Sequence, residues 1–162
     1  MTRKGESRIY EGQSVGNLLL EMKFEEANQI LKSKYEKIKW VEYSYEYRYK
    51  KLGLSLWVKQ KDSLHRIFSI SVNPKKWNGK TEKGLNISKE LQIKDVIAVY
   101  GSPEWSYTGD CEELEAEYDE VGIQFSVNVM EGICDEDSLN HDSLFFNQHV
   151  TEVTIGKIGE GY

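Results

Sequence analysis

The sequence predicts an α+β fold of two tandem repeats, each with one helix and a three-stranded antiparallel sheet. Three observations indicate this class. The stretch YKKLGLSLWV at 49–58 returns as YDEVGIQFSV at 118–127 with nearly the same order of residue characters. Each copy combines a helical apolar period with alternating, strand-like segments. The chain has 162 residues, 39% of them apolar, which is enough to bury a core.

A fixed offset of 69 residues aligns the two copies without a gap as far as 127. It places Tyr49 on Tyr118 and Gly53 on Gly122. The second copy then carries an insertion at about 133–149 before VTEVTIG takes the place of HRIFSIS. This period is long enough for a small folded unit rather than a solenoid turn. The predicted boundaries are 12–73 for the first repeat, 74–83 for a linker and 84–157 for the second repeat.

Each repeat is expected to open with a short amphipathic helix. In the second copy, the apolar residues fall at i, i+3, i+4 and i+7, and Gly101 and Pro103 supply the stop. These apolar positions are Ile93, Val96, Ile97 and Tyr100. The first copy repeats the pattern with Phe24, Ala27, Ile30 and Leu31.

Three strands are expected after each helix. In the first copy VEYSYEYRY alternates in character, a link containing Gly53 leads to LSLWV, and RIFSISV follows the polar turn KQKDS. One side of the first strand carries Val41, Tyr43, Tyr45, Tyr47 and Tyr49. The second copy has Leu114, Ala116 and Tyr118 at equivalent places, so this side is predicted to pack beneath the helices. One continuous curved sheet with helices on one face is compatible with this pattern.

The opposite side of the strands is predicted to be the open face of the sheet, and in the second repeat it is acidic. The candidate partner-binding residues on it are Glu113, Glu115, Glu117 and Glu152, with Trp57 and Glu46 in the first repeat. Trp57 is expected as an exposed aromatic on a polar surface. The simpler interpretation stays open, because any one-sided antiparallel sheet needs a polar outer face.

The run GLNISKELQIKDVIAVYGSPEWSY, followed by a strand and EVGIQFSV, resembles the repeat of the β-lactamase inhibitor protein type. It also resembles small envelope domains related to the outer-membrane assembly lipoprotein family. The resemblance covers about residues 12–157 as two copies, although the first copy has Lys32 and Lys34 where the second has Gly101 and Pro103. It implies a tandem whose sheets form an open concave surface that grips a partner protein. It implies no chemistry.

Charge divides the chain into two unlike halves. Residues 1–83 carry 18 basic and 10 acidic side chains, a net +8, whereas residues 84–162 carry 3 and 17, a net −14. Together these give the overall −6. Such dense like charge costs folding free energy, which a basic surface would relieve. We therefore expect a protein partner with a basic surface, or head-to-tail self-association through the lysine-rich first repeat.

Catalytic constellations are absent from the sequence. It contains no Gly-rich phosphate loop, HExxH, paired CxxC or GxSxG motif, so we predict a protein that is not an enzyme and needs no cofactor. Near the insertion lie Cys134, His141, Asp142 and His149, but their spacing matches no compact zinc pattern. A hydrolase that uses the insertion would require a stoichiometric metal ion. Pairing of Cys134 with Cys111 stays open.

A nucleic-acid interpretation rests on basic and aromatic residues interleaved in the first repeat. They are Lys32, Lys34, Lys37 and Lys39, near Trp40 and Tyr43. The strongly acidic second repeat would repel the same phosphate backbone, so no nucleic-acid partner is expected.

These observations predict a non-enzymatic protein-binding module of bacterial origin, an inhibitor or immunity-type protein that sequesters a toxin or enzyme. The alternative is an envelope or lipoprotein-derived scaffold domain with its signal removed. No apolar run reaches the 18 or more residues of a membrane helix. If Met1 is native, the expected location is cytoplasmic. If Met1 was added to a trimmed chain, it is periplasmic or at the cell surface.

Overall fold

The computed structural model describes residues 7–41, 43–108, 113–129 and 140–156. The protein is mostly β, with an eight-stranded sheet, a five-stranded sheet and three short helices in these residues. The predicted α+β class of two helix-plus-three-strand repeats is therefore wrong. Short strands in polar sequence escaped the prediction and supply much of the structure. Cys111, Cys134 and positions 133–139 of the expected insertion lie outside the described residues.

The elements follow one another as β1 (Arg8–Tyr10), β2 (Ser14–Val15), β3 (Leu18–Leu19), α1 (Phe24–Leu31), β4 (Glu36–Trp40), β5 (Ser44–Tyr49), β6 (Leu54–Lys59), β7 (Ile67–Val72), β8 (Gly79–Thr81), β9 (Asn86–Ile87), α2 (Ile93–Tyr100), β10 (Glu104–Thr108), β11 (Glu113–Tyr118), β12 (Ile123–Asn128), α3 (His141–Phe145) and β13 (Glu152–Gly156). The longest helices of the described chain have eight residues, and none of its helices has the length and apolar character of a membrane span.

The large sheet has the order β10-β11-β12-β13-β7-β6-β5-β4, and every neighbouring pair is antiparallel. Four strands from the first part of the chain thus join four from the second. The joint is the β7–β13 pair, in which Val72 lies opposite Val153 and Ile70 opposite Ile155. The two halves consequently share one continuous sheet and one open face.

The 69-residue offset recurs in the positions of the elements. The bounds of α1 and α2, of β5 and β11, and of β6 and β12 each differ by 69 residues. In both halves a helix is followed by four strands of the large sheet rather than three. Within the stretch expected as a linker, residues 79–81 form β8. The division of the chain into domains stays a prediction.

The two strands missing from the prediction are the edges of the large sheet, β4 and β10. An edge strand has a neighbour on one side only, and its polar side chains remain solvated, so its apolar pattern is weak. In β4 (EKIKW) four of five residues are exposed. In β10 (EWSYT) Trp105 and Tyr107 pack against the core, and Glu104 is exposed. The alternation in EWSYT is nevertheless a strand signal.

The small sheet has the order β3-β2-β1-β8-β9. Its central strands β1 and β8 run parallel, with Ile9 opposite Thr81. These strands have two or three residues each, too few for a recognisable period. The buried side chains of Ile9, Val15 and Ile87 belong to the same core as the apolar side of the large sheet. The small sheet thereby covers part of that side together with the helices.

The predicted core side of the first strand is confirmed in part. Tyr47 and Tyr49 are buried, and Phe24 from α1 stacks on Tyr47 with ring centroids 3.7 Å apart. The prediction is wrong for Val41 and Tyr43, which are 73% and 54% exposed. Val41 and Tyr43 lie between the end of β4 and the start of β5 at Ser44, so the alternating run VEYSYEYRY begins before the strand.

Gly12 and Gly122 bring the small sheet against the large one. Gly122 has φ +78°, and a Cβ built on it would lie 2.8 Å from Gly12 Cα. Backbone atoms cannot move aside as a flexible side chain can, so the contact requires glycine. Gly84 has a similar φ of +94° but nothing within 4 Å of its would-be Cβ.

Alanine substitutions at Gly84 and Gly122 separate the conformational cost of a left-handed backbone from the steric cost of an added Cβ atom. We predict that Gly84→Ala lowers the free energy of unfolding by about 1 kcal/mol through its left-handed conformation alone. Gly122→Ala should cost at least about 1 kcal/mol more, because overpacking against Gly12 adds to the same strain. Urea denaturation of both variants measures the difference. Equal losses would show that the Gly12–Gly122 approach is not close in solution.

Candidate functional site

The side of the large sheet that faces away from the core carries the candidate site, and we call it the open face. Directly paired residues share a face of a sheet, so the register assigns each side chain. In β10–β13 this side carries five glutamates, and none of the residues in those four strands is basic. We call this part of the open face the acidic half. Its glutamates are Glu104, Glu113, Glu115, Glu117 and Glu152.

In the first half of the sheet, Glu46 is neutralised by its neighbours. Its Oε1 accepts hydrogen bonds from Arg48 Nε at 2.9 Å and Ser55 Oγ at 2.8 Å. Its Oε2 accepts from Trp40 Nε1 at 2.9 Å and Arg48 Nη2 at 3.1 Å. The bond to Glu46 raises the pKa of Arg48. Glu46 is only 4% exposed, so this residue of the open face is not solvated.

A hydrogen-bond chain crosses the joint between the two halves. Trp57 Nε1 donates to Ser71 Oγ at 3.1 Å, and Ser71 Oγ lies 3.1 Å from Thr154 Oγ1. Thr154 Oγ1 in turn donates to Glu152 Oε1 at 3.3 Å. Trp57 is half-buried and tilted against Trp40, rather than an isolated exposed aromatic. The chain links Trp57 to Glu152, two predicted site residues that are 95 positions apart in the sequence.

Two carboxylates of the acidic half are destabilised in their charged form. Burial raises the pKa of Glu152 to about 7, and the charges of Glu113 and Glu46 add to the effect. Burial also raises the pKa of Glu115 to about 7, with further contributions from Glu117 and Glu113. A hydrogen bond from Gln124 opposes this increase at Glu115. Near neutral pH the ionised forms of Glu115 and Glu152 are therefore disfavoured.

Ser126 lies between these two carboxylates. It is directly opposite Glu115 on β11 and Glu152 on β13, so the three side chains project from the same face. Ser126 is 1% exposed, and its Oγ has no hydrogen-bond partner among the described residues. Buried hydroxyls are rarely left in this state.

An open pocket of about 310 Å³ lies beside this group, on the first-half side of the joint. Glu152 lines it together with the Glu46–Arg48 pair, Ser55 and Ser71. Two lysines also line the pocket: Lys50 from the β5–β6 connection and Lys76 from the β7–β8 connection. Glu152 thus stands between the pocket and Ser126.

The structure places all six predicted site residues on the open face, although they differ in exposure. Glu113, Glu115, Glu117, Glu152 and Trp57 are half-buried, and Glu46 is buried. Their role in partner binding stays a prediction. Sequence reasoning missed Glu104 and Ser71. The alternation in EWSYT would have placed Glu104 beside Glu117, its partner across the strands.

Two of the residues considered for a metal, His141 and Asp142, pack α3 against β10, whereas Cys134 lies outside the described residues. Tyr107 Oη lies 2.8 Å from His141 Nε2, and Asp142 Oδ1 accepts from Trp105 Nε1 at 2.7 Å. His149 pairs with Gln92 in an isolated bridge. In the part of the chain that the structure describes, no three His, Cys, Asp or Glu side chains are grouped to hold a metal ion.

Three of the residues considered for nucleic acid, Lys37, Lys39 and Trp40, lie in β4, and they are divided between its two faces. Lys37 is paired with Tyr47, on the core side of the strand, and its Nζ lies 4.1 Å from the centroid of the Tyr45 ring. Trp40 lies on the open face, where it contacts Glu46. Lys37 and Lys39 therefore do not share a face of β4 with Trp40.

Comparison with protein-family models, with curated proteins and with solved structures gave no match for this chain. The resemblance to the β-lactamase inhibitor protein type accordingly stays a prediction from the sequence. The geometry of the open face is the basis for the function proposed below.

Glu46 is predicted to stabilise the fold. Glu46→Ala should lower the free energy of unfolding by about 1–3 kcal/mol, because it leaves the partners of its carboxylate unsatisfied. Glu36→Ala is the matched control: its carboxylate pairs with Lys50 at 3.0 Å, but both side chains are more than half exposed. That loss should stay below about 1 kcal/mol. Chemical denaturation compares the two, and equal small losses would contradict a structural role for Glu46.

Glu152 should make stability depend on pH. Its pKa of about 7 in the folded state exceeds the value of 4.5 expected for the unfolded chain. The folded protein therefore binds the proton more tightly, and stability falls as pH rises from about 4.5 to about 7. Glu152→Gln should raise the melting temperature at pH 8 by about 2–4 °C for each kcal/mol relieved, with a smaller gain at pH 5.

Thermal unfolding between pH 5 and 8 measures this difference. Glu104→Gln is the control, because Glu104 is exposed on the edge strand of the same face. It removes one acidic group and should retain the pH dependence that Glu152 causes. A Glu152→Gln variant whose gain is the same at both pH values would contradict the burial of this carboxylate.

Proposed function

We propose that the protein is a non-enzymatic binding module whose acidic half binds a partner protein with a basic surface. One observation carries the proposal: five glutamates share one face of four adjacent strands that contain no basic residue. An ordinary solvated sheet face mixes both signs of charge, as the first half does at Glu46 and Arg48. The acidic half departs from that pattern.

The energetics of the acidic half favour a cationic partner. Ionised carboxylates repel one another, and the partial burial of Glu115 and Glu152 reduces the screening by water. A basic surface would replace this repulsion with attraction. It would also accelerate association, because the field of clustered charge extends beyond contact distance. The binding free energy thus includes the relief of a cost present in the free protein.

Within this class, an inhibitor or immunity-type protein is the finer proposal. It is supported by the division of charge between the halves of the chain and by the repeat resemblance. Binding of a basic toxin or enzyme through an acidic face would occlude its surface without chemistry on the part of this protein.

The location of the negative charge, rather than its amount, should determine binding. We predict that Glu113→Gln/Glu115→Gln/Glu117→Gln slows association with the partner at least about 5-fold at low salt and flattens its salt dependence. The control variant Glu25→Gln/Glu26→Gln/Glu90→Gln has the same net charge, but its substitutions lie at exposed positions on α1 and before α2. It should associate like the wild type.

The measurement begins with affinity capture from the native lysate at low salt by the three proteins in parallel. The partner is the protein retained by wild type and control but lost from the open-face variant, and its association rate is then measured against ionic strength. Equal capture by all three proteins, or retention of acidic proteins only, would contradict the proposal. Circular dichroism checks that each variant is folded.

A further inference from the structure

The buried hydroxyl group of Ser126 carries a free-energy cost that the fold alone does not explain. Its Oγ is buried without a hydrogen-bond partner in the described residues, at the centre of the acidic half. Leaving a buried hydroxyl unsatisfied costs about 1–3 kcal/mol. An alanine at this position would avoid the cost and preserve the strand. The hydroxyl therefore indicates a ligand that completes it.

The strand register defines what surrounds this hydroxyl. Glu115 and Glu152 are the direct cross-strand neighbours of Ser126, one on each side. Directly opposed residues have Cβ atoms about 5 Å apart, so the Cβ atoms of Glu115 and Glu152 lie about 10 Å apart with Ser126 between them. Their side chains are longer than that of serine and rise above it. We call this arrangement, a hydroxyl between two longer carboxylate side chains on adjacent strands, the recess.

We propose that Glu115, Ser126 and Glu152 form a binding site for one lysine ammonium group of the partner protein. This inference rests on the proposed function and specifies the chemistry of its central contact. An ammonium group has three N–H donors and no acceptor. The recess offers an acceptor on each of three adjacent strands. One donor can reach each carboxylate, and the third can reach Ser126 Oγ.

A lysine fits this arrangement better than an arginine. The guanidinium group is planar and matches the two oxygens of a single carboxylate. Lysine carries a compact charge on a flexible stem, which suits three acceptors on separate strands above a narrow base. Arg48, the basic side chain of the first half that interacts with Glu152, already donates Nε and Nη2 to Glu46. Because Arg48 is engaged with Glu46, an external cation can bind in the recess.

Binding at this site should be coupled to protons. Glu152 faces Glu113 and Glu115 from β11, and Glu46 and Arg48 from β5, while Glu117 acts on Glu115. All of these groups except Arg48 are acidic, so both carboxylates hold protons up to about pH 7 in the free protein. An ammonium group would favour their ionised forms. Lysine binding near pH 7 should therefore release protons.

The probe is acetyl-tetralysine amide, compared with the same peptide in which every lysine is trimethyllysine. Both peptides carry the same charge, but trimethyllysine has no N–H donor. We expect the lysine peptide to bind at least 5-fold more tightly at pH 7.5 and low salt. Ser126→Ala should weaken it about 3-fold or more and leave the trimethyllysine peptide unaffected. Fluorescence anisotropy and calorimetry in two buffers measure affinity and proton release.

Ser106→Ala is the matched control. Ser106 is the other cross-strand neighbour of Glu115, but its hydroxyl already donates to Glu117. It should alter the affinity for tetralysine by less than 2-fold. Ser126→Ala should be at least as stable as the wild type, since it removes an unsatisfied group. Thermal unfolding of both variants checks that a lost affinity is not lost folding.

The outcomes separate this inference from the proposed function. Equal binding of both peptides, unaffected by Ser126→Ala, would overturn the site but retain an acidic face that attracts cations diffusely. Failure of both peptides to bind at low salt would overturn the site and the proposed function together. Self-association of the free protein that Ser126→Ala abolishes would overturn the assignment to a different protein, because the lysine would come from a second copy of this chain.

Discussion

The pairing of β7 with β13 is the constraint on which the rest of the structure depends. It joins two four-stranded halves into one sheet and sets Ser71 beside Thr154. Without this register the chain that runs from Trp57 to Glu152 could not form, and the acidic half would have a second solvated edge. The hydrophobic neighbours Ile70, Ile155 and Val153 hold the same pair from the core side. One pairing therefore determines both the core and the open face.

The two halves of the open face differ in the groups that surround their buried carboxylates. In the first half, Glu46 is buried with Arg48, Ser55 and Trp40 as donors, so its charge is satisfied internally. In the second half, Glu115 and Glu152 lie beside further glutamates and an unsatisfied serine. Buried charge without compensation is costly, and such a cost is tolerated where binding removes it. The proposed binding function rests on this asymmetry between the halves.

The sequence predicted the features that have a strong period or a strong stop. The helix at 93–100 ends before Gly101, and β5, β6, β11 and β12 follow the repeated alternation. It did not predict the fold class, because β4 and the strands of the small sheet are too short or too polar to show a clear period, and the alternation in β10 was overlooked. The acidic half was predicted from alternation alone. The isolation of Ser126 depends on a register between distant strands, and a sequence gives no register.

The most direct test of this account is a carbon-13 NMR titration of the Glu115 and Glu152 carboxyl groups in the free protein. The structure predicts that both groups titrate near pH 7, because they are buried beside other glutamates. Midpoints near 4.5 for both would mean that the carboxylates are solvated and carry no cost that a partner could relieve. The acidic half would then be an ordinary outer face of an antiparallel sheet.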